Sequence, residues 1–379
     1  MKHLSEKELL IQIEKNKKIY TQYYDRDYSI NLVKNVIEFI DDYYFKSKFI
    51  GFDPLPQRNN PDRPLIYACN HSGMAFPWDA IIFAARLFKK ADFDLRKAVR
   101  PITASELSRT ALMQPFIIDK FWKRLGCIDA TYLNFETMMQ YQGSNLLMYP
   151  EGVTGIGKGF DKRYQLQRFA TSFVRMSLKY KTDIIPVATV NGEYINPYCF
   201  ISPQVNKFVN LLGIPFMPLG LATIGLPFFP WMFYYAWPAN LIYVKGTRIK
   251  PYEMTTKSVD KISRAELIEL TNLIRDQMQE GLDEAVHTYG ATPYSLTQLT
   301  LRAVLNAKKL PFFTPFGWPL VFTEFERQWR IRKTDEVKLD WSIFSTLKVL
   351  LNNPGTIKYY TPLLGWLPMI YRGIRPVRT

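Results

Sequence analysis

Apolar and polar positions follow two rhythms along this chain, one close to helical spacing and one of short, unbroken apolar runs. Leu9, Leu10, Ile13 and Tyr20 recur near helical spacing behind a Ser5-x-x-Glu8 capping box, which predicts a helix over residues 4–24. Ile30, Val33, Val36, Ile37 and Ile40 line one side of a second helix over residues 28–45. Pro54, Pro56, Pro61 and Pro64, with Asn59 and Asn60 between them, mark a loop into the first core strand. From there strands and helices alternate: strand 65–69, helix 78–88, strand 98–102 with helical material to Leu125, strand 145–149, helix 165–180 and strand 183–190. One more strand over 241–244 and a long helix over 263–287, capped by Ser263-x-x-Glu266, complete the regular part. This alternation predicts an α/β fold, a mainly parallel mixed sheet flanked by helices. It divides the chain into an N-terminal helical region (1–58), an α/β domain (59–290) and an aromatic, basic C-terminal extension (291–379).

Composition adds a surface to this picture. With 379 residues and a hydrophobic share of 47% the chain can bury a sizeable core, and its aromatic share of 15% is high. The formal net charge is +15, an excess that attracts polyanions, either nucleic acid or an anionic membrane. No nucleic-acid-binding module is recognisable, so no nucleic-acid partner is expected. The companion signal is apolar: Phe208 to Val244 carries no charged residue. Pro215, Pro218, Pro227, Pro230 and Pro238 interrupt it, and each removes a backbone donor that lipid cannot replace. A membrane-facing or acyl-chain-lining surface is therefore expected, ahead of a buried core segment or a broken span. The extension alternates aromatic and proline clusters with basic residues such as Arg327 and Arg330, which suits a headgroup interface. The N-terminal helical pair reads equally as a membrane-docking element or a packing cap. Met1 to Lys18 is charged throughout and lacks the apolar centre of a secretory signal. The expected location is the cytoplasmic face of a membrane.

Candidate chemistry is concentrated at two strand ends. Asn70-His71-Ser72-Gly73 follows the first apolar strand, and Asp79 opens the next helix. Histidine suits general-base work near neutral pH, and a nearby carboxylate can fix its tautomer and stabilise its cationic form. Of three histidines, His3 lies in a terminal segment and His287 ends a helix, so His71 is the candidate base and Asp79 its partner. Asp79 also serves as a helix cap on this reading. Ser72 has no G-x-S-x-G elbow around it, which argues against a serine hydrolase. The second strand end is Tyr149-Pro150-Glu151-Gly152, where Glu151 either holds the turn or meets substrate. Lys158, Arg163 and Arg168 follow it, with Gly155, Gly157 and Gly159 among them, as a candidate anion site or a solvated basic face. The three cysteines are widely spaced, and no metal-binding pattern is present.

NHSGMAFPWDA, MYPEGVTGIGKGFDKRYQLQRFA and IIPVATVNGE, in this order, together resemble the lysophospholipid acyltransferase family, which includes the 1-acylglycerol-3-phosphate acyltransferases. The likeness covers roughly residues 60–290. It implies a glycerolipid-acyltransferase-like fold in which His71 deprotonates an acceptor hydroxyl, Asp79 orients it, and the hydroxyl attacks an acyl thioester directly. It further implies that Glu151 and Gly152 form the acceptor-side turn and that Pro186 lies on the supporting strand. Acyl-CoA or acyl carrier protein would serve as co-substrate, with no bound cofactor and no metal. Two departures stand out: seven residues separate His71 from Asp79 where the family usually has four, and the arginines that commonly follow Glu-Gly and the glycine of the second motif are replaced by Val153-Thr154 and Cys127-Ile128. The implied function is acyl transfer to a lysophospholipid or related glycerolipid, with membrane lipids as substrates. A neutral acceptor (a diacylglycerol, sterol or long-chain alcohol), a non-catalytic lipid-binding protein and a lipid hydrolase remain as rivals.

Overall fold

The computed structural model describes residues 6–72, 76–109, 113–211, 217–332 and 337–373. Ser5 of the N-terminal cap, His3, Gly73 and Pro215 lie outside the described residues.

A seven-stranded sheet organises the molecule. In chain order its strands are β1 (Lys48–Ile50), β2 (Ile66–Cys69), β3 (Val99–Thr103), β4 (Ile128–Asp129), β5 (Asn145–Met148), β6 (Ile184–Val190) and, after a separate antiparallel pair of β7 (Phe200–Ile201) and β8 (Pro218–Leu219), β9 (Ile242–Lys245). Spatially the order is β1-β9-β6-β2-β5-β3-β4, and every pairing is parallel except β6 with β9. The mainly parallel mixed sheet expected from the strand–helix alternation is thus present. β2 and β5 are buried at every residue, as unbroken apolar strands between helical layers must be. The short edge strands β1 and β4 carry no such run and escape the pattern.

β2 sits between β5 and β6, with Ala68 opposite both Met148 and Pro186. The chain leaves β2 toward β3 and β4 on one side, returns through β5, then crosses to β6 on the other. That reversal opens a crevice beyond the carboxyl ends of the strands. The segments after Cys69, Met148 and Val190 all emerge at this edge, because the three strands are parallel neighbours.

The helix Trp78–Lys90 covers one face, burying Ile81, Ile82, Phe83, Leu87 and Phe88. The helix Arg264–Tyr289 covers another part of the sheet through Leu267, Leu270, Ile274, Met278 and Leu282, a stripe at helical spacing. Its capping box forms as expected: Glu266 N donates to Ser263 Oγ (3.2 Å) and Ser263 N to Glu266 Oε2 (2.9 Å). The second N-terminal helix starts at Arg26, where Asp25 accepts from Tyr28 N, and runs through two π-helical turns to Phe45. Leu32, Val36, Ile37, Ile40 and Phe45 are buried in the main core, so this helix is a packing element. Trp318 and Phe322 from the helix Trp318–Arg332 join the same core.

Two expectations need correction. The helix foreseen over 165–180 is confined to Ser172–Tyr180. Upstream amides are drawn off the helical ladder: Leu166 N donates to Gln279 Oε1, Gln167 N to Glu151 Oε2 and Ala170 N to the Pro150 carbonyl. The uncharged stretch 208–244 is not one surface either. Trp231, Phe233 and Tyr234 are buried, whereas Leu221, Ile224 and Phe228 are exposed. Prolines divide it, with Pro218 opening β8 and Pro230 a 3-10 turn over Pro230–Tyr234. No described helix is long and apolar enough to cross a membrane.

Candidate functional site

The crevice at the carboxyl ends of β2, β5 and β6 collects the residues singled out in the sequence. β2 ends in Asn70, whose side chain grips β6: Nδ2 donates to the Thr189 carbonyl (3.1 Å) and Oδ1 accepts from Thr189 N (2.6 Å). That bidentate bond fixes the point at which the chain departs toward His71.

His71 is held from below by Glu151. Glu151 Oε1 accepts from His71 N (2.8 Å), and its Oε2 accepts from Gln167 N (2.7 Å). Both carboxylate oxygens are thereby committed to backbone amides, so Glu151 ties three segments together rather than presenting a free acceptor. Burial raises its pKa, opposed by the Lys158 ammonium and by these two amides. The turn that follows needs glycine twice. Gly152 has φ +59° and ψ −147°, a conformation that a Cβ disfavours. A Cβ on Gly155 would come within 2.4 Å of Glu151 Cβ and 2.9 Å of His71 Cβ. The backbone of the second motif therefore presses directly on the first.

The His71 ring stacks on Tyr149, with centroids 4.3 Å apart and an interplanar angle of 24°. Desolvation, then the Lys158 ammonium, push its pKa down to about 3. The imidazole is neutral at physiological pH, the form a proton acceptor requires.

Asp79 is in the first turn of the helix Trp78–Lys90 and almost fully buried. The pairing with His71 expected from the sequence is not made as a hydrogen bond. Ser72 Oγ donates to Asp79 Oδ2 (2.6 Å), and Asp79 Oδ1 is buried without a hydrogen-bond partner. Burial raises the Asp79 pKa to about 7, against the opposing Ser72 hydroxyl and Ala80 amide, and Glu193 adds to the rise. Tyr243 OH anchors the Asp79 carbonyl (2.7 Å). The longer His–Asp spacer thus accommodates Ser72 as a third member of the group.

The basic candidates part company. Lys158 is not available to an anion: its Nζ lies 3.1 Å from Glu193 Oε1, both side chains are 0% exposed, and it also donates to the Gln165 carbonyl (3.3 Å). Glu193 in turn accepts from Tyr164 N (3.0 Å). Arg163 and Arg168 are exposed, Arg163 lying over the Phe160 ring at 5.1 Å. Ser72, Tyr149 and Glu193 are members of the site that sequence reasoning did not assign. Tyr149 and Glu193 stood inside the quoted motifs, and only their neighbours in space show what they touch.

His71 lies on the wall of a cavity of about 690 Å3, roughly within the size range of small-molecule sites. Its lining is mostly apolar, with Ile81, Ala84 and Phe88 from the helix Trp78–Lys90 and Val99 and Ile102 from β3, and Ser29, Thr103, Ser105, Thr131 and Ser172 as its hydroxyls apart from tyrosines. Tyr149, Pro150, Gly152 and Val153 bring the second motif to the same wall. Among the described residues no Lys, Arg, Asp or Glu lines it. Among the described residues no cluster of His, Cys, Asp and Glu is arranged to hold a metal ion.

Residues 47–190 match the family model described as Acyltransferase. A Mycobacterium tuberculosis protein, described as uncharacterized, is 24% identical over 199 residues, covering 52% of this chain and 51% of that protein. A Mycobacterium leprae protein, likewise described, is 24% identical over 267 residues, covering 68% of this chain and 65% of that one. The chain thus spans about half to two thirds of the length of the curated relatives it matches. No solved structure matches it.

Proposed function

Residues 47–190 form a domain of the glycerolipid and lysophospholipid acyltransferase family, which supports a general acyltransferase activity, and from that premise we propose that this chain moves a fatty acyl group from a thioester, acyl-CoA or acyl carrier protein, to a hydroxyl of a lysophospholipid or related glycerolipid at a membrane surface. The observation that carries the reading is a neutral imidazole on the wall of a large, mostly apolar cavity, next in the chain to Ser72, whose hydroxyl binds a buried carboxylate with one oxygen unpartnered.

The cavity suits the hydrocarbon of the donor. Burying about a dozen methylenes there would gain about 10 kcal/mol, enough to hold an acyl chain while its thioester carbonyl waits at His71. His71 takes the proton of the acceptor hydroxyl as the oxygen attacks the carbonyl carbon. The C–S bond then breaks, and the thiolate leaves with the proton from the imidazolium. No acyl-enzyme is needed.

An imidazole with a pKa near 3 is a weak base, so the proposal requires Asp79 to move from Ser72 toward the ring. An ionised carboxylate accepting the imidazole N–H raises the pKa of the one and lowers that of the other. Asp79 Oδ1, buried and unpartnered, supports this step because it is an acceptor with nothing else to accept from.

A second reading, a neutral acceptor such as a diacylglycerol, draws support from Lys158. Its charge is spent on Glu193, and no Lys or Arg among the described residues lines the cavity. Arg168, exposed and two residues before the cavity-lining Ala170, remains the phosphate candidate. The deciding experiment supplies one radiolabelled acyl-CoA and one acyl carrier protein donor to the purified chain with lysophosphatidic acid, other lysophospholipids and diacylglycerol. Transfer that disappears in His71→Ala supports the reading. Lipid binding without turnover in the wild type, or undiminished transfer in His71→Ala, refutes it.

A further inference from the structure

Apolar residues at helical spacing normally mark the face a helix turns inward. Near the C-terminus they face out. In the helix Thr346–Asn352, Leu347 and Leu351 are exposed at i and i+4. In the turn and helix that close the described chain, Leu363, Leu367, Ile370 and Tyr371 repeat the spacing, with Tyr371 83% exposed. A second exposed group, Leu221, Ile224 and Phe228, comes from the uncharged central stretch, with Ile224 71% exposed.

The central group and the one that closes the described chain are far apart in sequence yet knitted together in space. Leu363 N donates to the Phe228 carbonyl (2.8 Å), and Trp366 Nε1 to the Pro227 carbonyl (2.8 Å). Exposed Phe316 is bound in as well: its ring meets Trp231 edge-on at 5.4 Å, and its carbonyl accepts from Tyr360 OH (2.7 Å). Residues 221–228, Phe316 and 360–371 are thereby joined in one apolar surface, larger than scattered surface residues would give, and Leu347 and Leu351 expose a further apolar stripe on the preceding helix.

Charge says what covers it. No Asp or Glu occurs between Glu193 and Glu253, between Glu284 and Glu324, or from Trp341 to Gly373, the segments from which the surface is made. Lys348 and Lys358 stand beside the exposed leucines of the last of these. Two copies of the chain meeting through this face would bring like charges together, in a molecule already at +15. Apolar stripes flanked by cations alone match an anionic lipid surface, into which helices of this kind lie flat.

We infer that the surface formed by residues 221–228, Phe316 and 360–371, together with the exposed Leu347 and Leu351 stripe, docks the protein on anionic membranes. The inference deepens the lipid-acyl-transfer reading, which supplies the reason for docking, by naming where the membrane is met. It also connects to the cavity: Pro218 and Phe233 belong to the cavity wall, while Leu221, Ile224 and Phe228 between them face outward. This segment would stand between bilayer and acyl site.

The test reads binding alone, so it does not depend on turnover. The purified full chain is sedimented with vesicles of phosphatidylcholine, or of phosphatidylcholine with one third phosphatidylglycerol. Wild type is expected to partition onto the anionic vesicles, less so at high salt. Ile224→Glu/Leu367→Glu/Tyr371→Glu should lower the partition coefficient at least tenfold, and Lys348→Glu/Lys358→Glu should lower it on anionic vesicles only. These side chains are largely solvent-exposed, so an unchanged thermal midpoint is expected and checks folding. Leu10→Glu/Ile11→Glu, on the N-terminal helix, should bind as wild type. Three results would overturn the proposal: no binding to either vesicle, full binding by the triple variant, or loss of binding in the N-terminal pair. A dimer in vesicle-free solution that the triple variant converts to monomer would assign the face to a second copy instead.

Discussion

Replacing Glu151 by glutamine changes almost no volume and removes the means by which one side chain holds His71. In the native site one carboxylate accepts two backbone amides, His71 N at 2.8 Å and Gln167 N at 2.7 Å. An amide offers only one acceptor oxygen, so its NH2 must face one of these N–H groups, donor against donor. The side chain cannot turn out into water, because Glu151 is only 4% exposed. One charge-assisted bond, worth about 1.5–3 kcal/mol, is lost and the other reverts to an ordinary hydrogen bond. The expected loss of stability is about 2–4 kcal/mol, read as a shift in the urea midpoint at unchanged m-value. Because the freed amide is that of His71 or of its neighbour in the clamp, kcat should fall at least tenfold with little change in the acceptor KM. Glu151→Asp, a carboxylate one methylene short, should recover part of the stability. An unchanged midpoint together with a selective rise in acceptor KM would refute the reasoning and make Glu151 a substrate contact.

Three further outcomes follow from the same geometry. Lys158→Met leaves Glu193 buried and unpaired and should cost about 3–5 kcal/mol; Lys158→Met/Glu193→Gln should regain most of it, and a single variant as stable as wild type would show that the pair is dispensable. Burial lifts Asp79 from 3.8 to about 7, so the folded protein binds its proton more tightly than the unfolded chain. Its contribution to stability is therefore full below about pH 4 and is lost as pH rises to about 7, which Asp79→Asn should flatten in a stability–pH profile. If the ionised form serves His71, kcat/KM should rise with pH through the same region in wild type, and a flat profile there would remove Asp79 from the reaction. Ala84→Phe, which fills part of the cavity wall, should lower transfer from long-chain donors at least tenfold more than from short ones; equal losses would place the acyl chain elsewhere.

The sequence by itself determined the strands that matter and the groups at their ends. Ile66–Cys69 and Asn145–Met148 are legible because a strand covered on both faces must be apolar at every position. His71, Asp79 and Glu151 are legible because a strand end followed by glycine and polar residues is where a parallel sheet places its chemistry. The helix Arg264–Tyr289 announced itself through its capping box and its stripe. Residue type and spacing are local properties, and a single chain displays them.

What only the tertiary structure decided are the partners. Ser72 takes Asp79, Lys158 is spent on Glu193 at β6's far end, and amides of residues 166–170 are bound by Gln279, Glu151 and Pro150 instead of forming a helix. Each of these choices sets a local preference against a buried group that would otherwise go unpaired. Burial depends on which strands become neighbours, which no window along the chain contains. The outward-facing leucines near the C-terminus make the same point: which residues of the aromatic, basic extension stay uncovered, and which, like Trp318 and Phe322, enter the core, is decided only by the finished packing.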